Sequence, residues 1–242
     1  MHRYLKIIIH LKFGNQKIIC KLVFMTYTIA ITTRNRPDSF NRVYEACNKY
    51  TDNIIVVDDA SETPYINATF RFDNRVGIPR AKNKCIEIFM KTKSQNLFLL
   101  DDDVIPIHHE SFTKYIENGT KHLCYTFYKP YKNVEGLKLH QLGNGCMMYF
   151  HRACFDIVGG FDTRFGLGKY EHVDLSRRIH NIGLTKYRFA DVIGSSELFY
   201  SMDKNKEVKR SFTSDEEFEL LTENQRHFIK QANSIEYIDY RL

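Results

Sequence analysis

Three consecutive aspartates at the end of an apolar run constrain this sequence more than any other feature. Residues 96–100 read Asn-Leu-Phe-Leu-Leu, and Asp101, Asp102 and Asp103 follow directly. Four apolar residues in succession are typical of a strand buried on both faces, as in a parallel sheet covered by helices. In open α/β sheets, ligands bind outside the carboxyl ends of the strands. The triplet is therefore predicted to lie where a ligand binds.

An extended chain predicts how the triplet points. Successive side chains alternate, so Asp101 and Asp103 are expected on one side and Asp102 on the other. Two convergent carboxylates suit Mg²⁺ or Mn²⁺, and the metal can then hold a diphosphate. The alternative is a loop whose carboxylates are merely solvated.

Length and charge narrow the class of protein. The chain has 242 residues, of which 43% are hydrophobic and 26% charged, which is enough for one globular α/β domain with an extension. Its formal charge of +6 favours an anionic ligand. The lysines and arginines are scattered, whereas a nucleic-acid binder usually clusters them on one face.

The cysteines and the first residues bear on location. None of the six cysteines forms a CxxC pair, so we expect reduced core residues of an intracellular, cytoplasmic protein. The apolar runs within 1–24 are shorter than the roughly 18–20 residues that span a bilayer. This extension could be a hairpin, a membrane-surface anchor that makes the protein peripheral, or an upstream segment. The functional domain is expected to begin at residue 25.

From residue 27 onward, strand and helix patterns alternate. Predicted strands cover 27–33, 54–57 and 96–100, and predicted helices cover 39–50 and 80–92. This order indicates α/β architecture with a Rossmann-like, mostly parallel central sheet flanked by helices. Because no GxGxxG follows the first strand, a dinucleotide site is disfavoured.

Six segments in order carry a family resemblance. They are Ile-Thr-Thr-Arg-Asn-Arg-Pro at 31–37, Val-Val-Asp-Asp-Ala-Ser at 56–61, Gly-Ile-Pro-Arg-Ala-Lys-Asn at 77–83, Leu-Leu-Asp-Asp-Asp at 99–103, the pair 143–148 and 158–162, and Phe-Gly-Leu-Gly-Lys-Tyr-Glu-His-Val-Asp-Leu-Ser-Arg-Arg at 165–178. Together they resemble the GT-A glycosyltransferases of family 2. The resemblance implies a GT-A domain at 25–212, with a donor half to about 106 and an acceptor half from 107, followed by a helical tail at 213–242.

The resemblance implies a nucleotide-diphosphate sugar as donor, with UDP favoured over GDP. A divalent metal, Mn²⁺ or Mg²⁺, would stabilise the leaving diphosphate as a Lewis acid. Asp103 is then the strongest metal ligand, Asp101 a metal or ribose contact, and Asp102 a donor contact. Asp58 or Asp59 would accept a hydrogen bond from the base, which favours uracil; the alternative is a turn formed by these aspartates.

Further donor contacts are predicted around the first loop and the second helix. Thr33, Arg34 and Arg36 fall where the family's first loop lines the nucleotide, so a guanidinium there could stack on the base or meet phosphate. Arg80 and Asn83 lie early in a helix beside the donor. Arg80 could pair with phosphate or form a structural ion pair.

The resemblance also implies an acceptor side and a base. The acceptor segment contains Gly145, Gly160, Phe161 and Asp162. An inverting transferase needs a base that deprotonates the acceptor hydroxyl. Relatives commonly place an Asp directly after the Glu of this motif, where this chain has His172. The base could be Glu171, His172 or Asp174, and Asp174 could instead serve only to start its helix.

The end of the sequence leaves the third metal ligand open. Many relatives place a metal-binding His in the segment that corresponds to 195–204, but no His lies between His180 and His227. Asp203 could replace it. The lysines near 204–210 could form a basic loop that closes over the diphosphate or is merely solvated. A capping box at 214–217 predicts a helix with a solvated charged face toward 232.

The sequence therefore predicts a metal-dependent transferase that moves a sugar from a nucleotide-diphosphate donor to an acceptor hydroxyl, with inversion implied by the resemblance. A glycan, a lipid-linked sugar, a protein or a modified nucleic acid could each be the acceptor. The alternatives are a sugar-nucleotide nucleotidyltransferase and a non-catalytic binding module on a degenerate GT-A fold.

Overall fold

A computed structural model describes residues 6–8, 22–24, 26–208 and 213–241. The strands are β1 (Lys6–Ile8), β2 (Leu22–Phe24), β3 (Tyr27–Thr33), β4 (Ile54–Asp58), β5 (Phe70–Arg71), β6 (Asn96–Asp101), β7 (Val104–Pro106), β8 (His122–Cys124), β9 (Lys132–Val134), β10 (Leu137–Leu139), β11 (Met147–His151), β12 (Ala190–Val192) and β13 (Phe199–Ser201). The α-helices are α1 (Pro37–Cys47), α2 (Ile78–Met90), α3 (Thr113–Glu117), α4 (Ala153–Val158), α5 (Glu171–Asn181), α6 (Ser195–Leu198) and α7 (Ser214–Lys230), with a 3₁₀ turn at Thr163–Phe165.

The central sheet has the strand order β5-β4-β3-β6-β11-β8. Strands β5, β4, β3 and β6 run parallel, and β11 runs antiparallel to both β6 and β8. The predicted mostly parallel sheet is confirmed. The apolar run of β6 explains its central place, because its residues 97–100 are fully buried between cores on both faces of the sheet.

Helices cover the two faces of this sheet. On one face α1 contributes Phe40 and Val43 to the core, and on the other α2 contributes Cys85 and Phe89. Both helices begin with a proline in their first turn, where the missing N–H has no intrahelical partner to lose. The helices therefore begin two residues before the predicted positions 39 and 80.

A second, two-stranded sheet lies directly after the acidic triplet. Strand β7 pairs antiparallel with β13, and Val104 faces Ser201. The backbone N–H of Met202 donates to the carbonyl of Asp103 at 2.8 Å. This pairing brings residue 203 beside the triplet although a hundred positions separate them. Strands β9, β10 and β12 form a further small sheet, in which Ala190–Val192 pairs with β10.

The N-terminal part of the chain contains a strand pair, and the C-terminal part contains a helix that packs on the domain. Strands β1 and β2 pair antiparallel, as the hairpin alternative for the extension predicts, while the remainder of 1–25 lies outside the described residues. Helix α7 begins with a complete capping box between Thr213 and Glu216. It packs against the loop before α5, with Asn224 buried in the contact. Among the described residues, no helix is both long and apolar enough to cross a bilayer.

Candidate active site

A cavity of about 490 Å³ opens at the carboxyl ends of β3, β4 and β6. One side, which we call the strand wall, is formed by Thr32, Thr33, Arg34, Arg36, Asp59, Asp101, Asp102, Asp103 and Asp203. The opposite side, which we call the helix wall, is formed by Phe127, Tyr128, Leu142, Gly143, Asn144, Lys169, Tyr170, His172, Val173, Glu217 and Leu221. The cavity therefore joins strand ends with residues from far along the chain.

The three aspartates of the triplet do not alternate as predicted. Strand β6 ends at Asp101, and a turn follows, so the extended geometry behind the prediction stops there. Arg36 Nη1 lies 3.1 Å from Asp102 Oδ1 and 3.2 Å from Asp103 Oδ2, so these two carboxylates converge on one guanidinium. The hydroxyl of Thr33 donates to Asp102 Oδ2 at 2.7 Å. Arg36 and Thr33, predicted as nucleotide contacts, hold the triplet in this structure.

Asp103 carries the best-placed free oxygen for a metal. Its Oδ1 is buried and has no hydrogen-bond partner among the described residues. Burial and the charges of Asp101, Asp102 and Asp203 raise the pKa of Asp103 to about 7. A cation would relieve both the missing partner and this repulsion, so the donor set fits a divalent metal.

The carboxylates of the triplet are not yet gathered around one point. In the described part of the chain, the group with ligand atoms within 4.8 Å of one another is His108, His109 and Glu110, on an exposed turn after β7. Arg36 contacts Asp102 Oδ1 and Asp103 Oδ2, so a metal that bound these oxygens as well as Asp103 Oδ1 would share them with the guanidinium.

Lys82 was not among the predicted site residues, yet it holds the remaining carboxylate of the triplet. Its side chain is 1% exposed, and its Nζ lies 3.0 Å from Asp101 Oδ1 and donates to the carbonyl of Gly145 at 3.0 Å. Burial lowers the pKa of Lys82, but Asp101 and Glu171 outweigh it and raise the pKa. Lys82 thus links β6, the segment before β11 and the start of α5 through one buried charge.

The two aspartates after β4 have different surroundings. Asp58 is fully buried, accepts from the N–H of Ser61 at 2.9 Å and lies 3.4 Å from Arg71 Nε, so it does not reach the cavity. Asp59 lines the cavity, and its oxygens accept the N–H groups of Val76 at 2.6 Å and Gly77 at 3.0 Å. Of these two aspartates, Asp59 is therefore the one that a ligand in the cavity can reach.

Of the predicted donor contacts Arg34, Arg80 and Asn83, only Arg34 lines the cavity. Arg34 lines the cavity, and its Nε is buried without a hydrogen-bond partner among the described residues. Arg80 is exposed and does not line the cavity, so its predicted donor contact is not supported. Asn83 is fully buried and exchanges two hydrogen bonds with the backbone of Phe161, at 2.9 and 2.8 Å. Both ends of its amide join α2 to the segment after α4, so its predicted donor contact is not supported.

His172 is the titratable side chain that α5 presents to the cavity. Its Nδ1 lies 3.1 Å from Glu171 Oε1, which leaves Nε2 without a partner among the described residues. Glu171 is 3% exposed, and its Oε2 is also unpartnered. Burial raises the pKa of Glu171, but His172 and Lys82 outweigh it and lower the pKa to about 2. The carboxylate is therefore ionised and orients the imidazole.

Gly145 sets the position of that imidazole. A Cβ at this residue would lie 2.7 Å from Cγ of His172, closer than any van der Waals contact allows. The predicted acceptor-binding residue thus lies against the His172 ring, and a side chain there would displace it.

Four further predicted site residues lie outside the cavity, in addition to those described above. Asp174 is 1% exposed and forms ion pairs with Arg178 at 2.8 Å and Arg177 at 3.3 Å, so it cannot act as the base and instead anchors α5. The predicted acceptor contacts Gly160, Phe161 and Asp162 are likewise structural. A Cβ added at Gly160 would meet the Asn83 amide, and Phe161 is fully buried in the core. Asp162 caps the 3₁₀ turn and accepts from His227 at 2.9 Å.

The loop before α5 is strained and is held by α7. Lys169 and Tyr170 have φ values of 73° and 68°, a left-handed conformation that costs about 1–2 kcal/mol for each residue with a Cβ. Asn224 Nδ2 contacts the carbonyls of Gly168 at 2.6 Å, Phe165 at 3.0 Å and Lys169 at 3.2 Å. The predicted solvated helix of the tail therefore helps to fix the residues that precede Glu171.

Comparisons with known proteins agree with this architecture. The sequence profile described as glycosyl transferase family 2 matches residues 28–173, and a search of curated proteins finds no match. The fold resembles glucosyl-3-phosphoglycerate synthase from Mycobacterium tuberculosis with a TM-score of 0.57 and 13% identity, covering 87% of this chain and 79% of that chain. It resembles S. aureus TarS with a TM-score of 0.54 and 12% identity, covering 86% and 74%.

A further solved structure, GalNAc-T7, is similar over a smaller share of its length. Its TM-score is 0.53 at 14% identity, covering 69% of this chain but 42% of that chain. At such identities these likenesses establish the fold, while the profile match extends over more than half of the sequence. The chain belongs to glycosyl transferase family 2 and has the GT-A fold.

Proposed function

We propose that this protein transfers a sugar from a UDP-sugar to an acceptor hydroxyl, with a divalent metal and with inversion at the anomeric carbon. The observation that carries the proposal is that one cavity has the acidic triplet on its strand wall and His172 on its helix wall. A metal-bound diphosphate and a base on opposite sides of a sugar are what an inverting displacement requires. The similar structures of GalNAc-T7 and of the mycobacterial glucosyl-3-phosphoglycerate synthase were both solved with UDP and Mn²⁺, which supports this donor and metal.

The metal would be held by Asp103, with Asp101 or Asp203 as further ligands. The unpartnered Oδ1 of Asp103 supports this assignment, and Asp203, which the β7–β13 pairing brings near Asp103, would take the place of the histidine of relatives. Mn²⁺ and Mg²⁺ both accept such carboxylate oxygens. When bound, the metal would neutralise the charge that develops on the leaving diphosphate.

The nucleotide would lie along the rest of the strand wall. Asp59 is at the end of β4 and could accept a hydrogen bond from the uracil N–H, while Arg34 offers a guanidinium for the base or a phosphate. Arg36 would exchange some of its contact with the triplet for the diphosphate, since phosphate and carboxylate are similar partners for a guanidinium.

His172 would be the base, oriented by Glu171. Nε2 of His172 takes the proton of the acceptor hydroxyl while its oxygen attacks the anomeric carbon. The bond from that carbon to the diphosphate oxygen breaks, and UDP leaves with the electron pair. The ionised Glu171 at Nδ1 would stabilise the imidazolium that forms, as a carboxylate does in other carboxylate–histidine pairs.

Family membership favours this reaction over nucleotidyl transfer, and one experiment separates it from the binding-module alternative. Thermal unfolding is measured with UDP, GDP and CDP, each with and without Mn²⁺, and UDP release is then measured from UDP-glucose, UDP-galactose and UDP-N-acetylglucosamine. We expect the largest stabilisation from UDP with Mn²⁺ and turnover of at least one donor. Metal-independent binding with no turnover would identify a non-catalytic module, and no stabilisation by any nucleotide would overturn the donor site.

A further inference from the structure

The helix wall has a chemical character unlike that of the strand wall. Its cation Lys169 is paired with Glu217, whose carboxylate lies 2.6 Å from the ammonium group. The arginines of the cavity, Arg34 and Arg36, both belong to the strand wall. An anionic ligand group would therefore bind the arginines of the strand wall, and the helix wall favours a ligand group without charge.

A polar group on the helix wall lacks a partner. The amide Nδ2 of Asn144 is buried and makes no hydrogen bond within the described part of the chain. A buried donor without a partner is costly, and a ligand that supplies an acceptor oxygen removes that cost. Across the same wall, Glu217 offers acceptor oxygens. Ligand hydroxyls can satisfy groups of both kinds, because a hydroxyl both accepts and donates.

The remaining surface of this wall is aromatic and aliphatic. Tyr128 is 58% exposed, Leu142 50% and Leu221 39%, although all three border the cavity. Exposed apolar side chains grouped at the mouth of a cavity are typical of ligand-binding surfaces. A pyranose ring has hydroxyls at its edge and C–H groups on its faces. It can therefore stack on the ring of Tyr128 while its hydroxyls bond to Asn144 and Glu217.

We infer that the acceptor is a neutral saccharide, bound on the helix wall with one ring face against Tyr128 and its hydroxyls at Asn144 and Glu217. This inference rests on the proposed function and specifies its acceptor. The position suits transfer, because His172 lies on the same wall and faces the strand wall. Helix α7 would then be an acceptor-recognition element, since it supplies Glu217 and Leu221.

A polyanionic acceptor fits the cavity less well. Nucleic-acid binding relies on cations that neutralise phosphates, whereas the cavity contains Glu217 and the strand-wall aspartates. Lys129 and Lys132, which follow Tyr128 in the sequence, are exposed and do not line the cavity. A nucleic-acid arm in the test therefore addresses this other class of acceptor.

The test measures saccharide binding and transfer in one preparation of the full chain with Mn²⁺. Saturation-transfer NMR in the presence of UDP probes glucose, galactose, N-acetylglucosamine, xylose and cellobiose. Stimulated UDP release from UDP-sugars uses the same saccharides, glucose 6-phosphate and a DNA duplex. We expect at least one neutral saccharide to bind and to stimulate release, with little effect of the phosphorylated sugar or DNA.

Variants locate the site. Tyr128→Ala and Glu217→Gln should each raise the KM for the saccharide by about tenfold or more, with UDP binding unchanged. Glu219→Gln, an exposed glutamate on the same helix, is the matched control and should behave like the parent protein.

The outcomes keep the two proposals apart. If UDP with Mn²⁺ fails to bind, the proposed function fails. If UDP binds and no neutral saccharide gives saturation transfer or stimulated release, or if only DNA or glucose 6-phosphate stimulates release, the acceptor inference is overturned while the donor site stands. Equal KM values in Glu217→Gln and Glu219→Gln would also overturn it.

Discussion

The strand wall and the helix wall of the cavity are built by different means. The strand wall consists of residues at the ends of neighbouring strands, and sheet hydrogen bonds fix their relative positions. The helix wall gathers residues from 127 to 221, which are held together by side-chain hydrogen bonds such as those of Asn224. A change in the strand wall should therefore alter chemistry and leave the fold intact, whereas a change behind the helix wall should alter both.

The largest expected effect is on the strand wall. Asp103→Asn removes a negative charge from the proposed metal site, and we expect kcat/KM to fall by about 1,000-fold, because metal stabilisation of a leaving group contributes several kcal/mol. Mn²⁺-dependent stabilisation by UDP should disappear, while the melting temperature without ligand should not decrease. Asp156→Asn, an exposed aspartate, is the control. Retained metal dependence in Asp103→Asn would refute the assignment.

The next effect tests the chemistry of the helix wall. His172→Gln should lower kcat by about 100-fold or more, as expected for loss of a general base, with little change in UDP affinity. Glu171→Gln should give a smaller loss, because the imidazole remains. His109→Gln, an exposed histidine, serves as the control. If Glu171→Gln loses more activity than His172→Gln, the roles of the two residues must be exchanged.

The contrast between the walls also explains what could be predicted from sequence. An apolar run followed by Asp101–Asp103 identifies a strand end, so the sheet, the triplet and Asp59 were within reach of pattern reasoning. The orientation within the triplet was not, because the chain leaves the strand at Asp101. Lys82 had a signal that was overlooked: it lies between Ile78 and Ile86 at spacings of four, on the apolar stripe of α2.

The helix wall depends on contacts that no local pattern contains. The charges at the start of α7 are typical of a solvated helix, and the capping box fixes only where it begins. That Glu217 reaches the cavity, and that Asn224 holds the loop before α5, depends on tertiary packing. The same holds for Asn83: the family motif suggests a donor contact, and only the tertiary structure shows that its amide joins two segments of this chain.

Asn224→Ala tests the coupling between α7 and the strained loop. Removal of this amide takes away a donor that the carbonyls of Gly168 and Lys169 share, so we expect the free energy of unfolding to fall by about 2 kcal/mol. The loop of Lys169 and Tyr170 should relax, and kcat should fall because Glu171 and His172 follow it directly. Gln225→Ala on the exposed side is the control. If Asn224→Ala loses stability but keeps its kcat, the contact with α7 does not influence the positions of Glu171 and His172.

The smallest effect concerns His122, which lies behind the helix wall. Its Nε2 is 2.8 Å from the hydroxyl of Ser176 on α5, its Nδ1 is 2.8 Å from the carbonyl of Tyr149, and burial lowers its pKa to about 4. The unfolded chain binds a proton near pH 6.5, whereas the folded chain does so only near pH 4, so stability is lost as the pH falls through this window.

Between pH 7 and pH 5.5 this single group should cost about 1 kcal/mol of unfolding free energy, measured by urea denaturation at each pH. In His122→Gln the loss should be smaller by that amount. His140, whose pKa burial also lowers to about 4, is present in both proteins and cancels in the difference. Parallel curves for the two proteins would mean that His122 is not kept neutral. The residues of the strand wall include no histidine. The loss of stability at low pH that His122 causes should therefore act through the contact with α5 behind the helix wall.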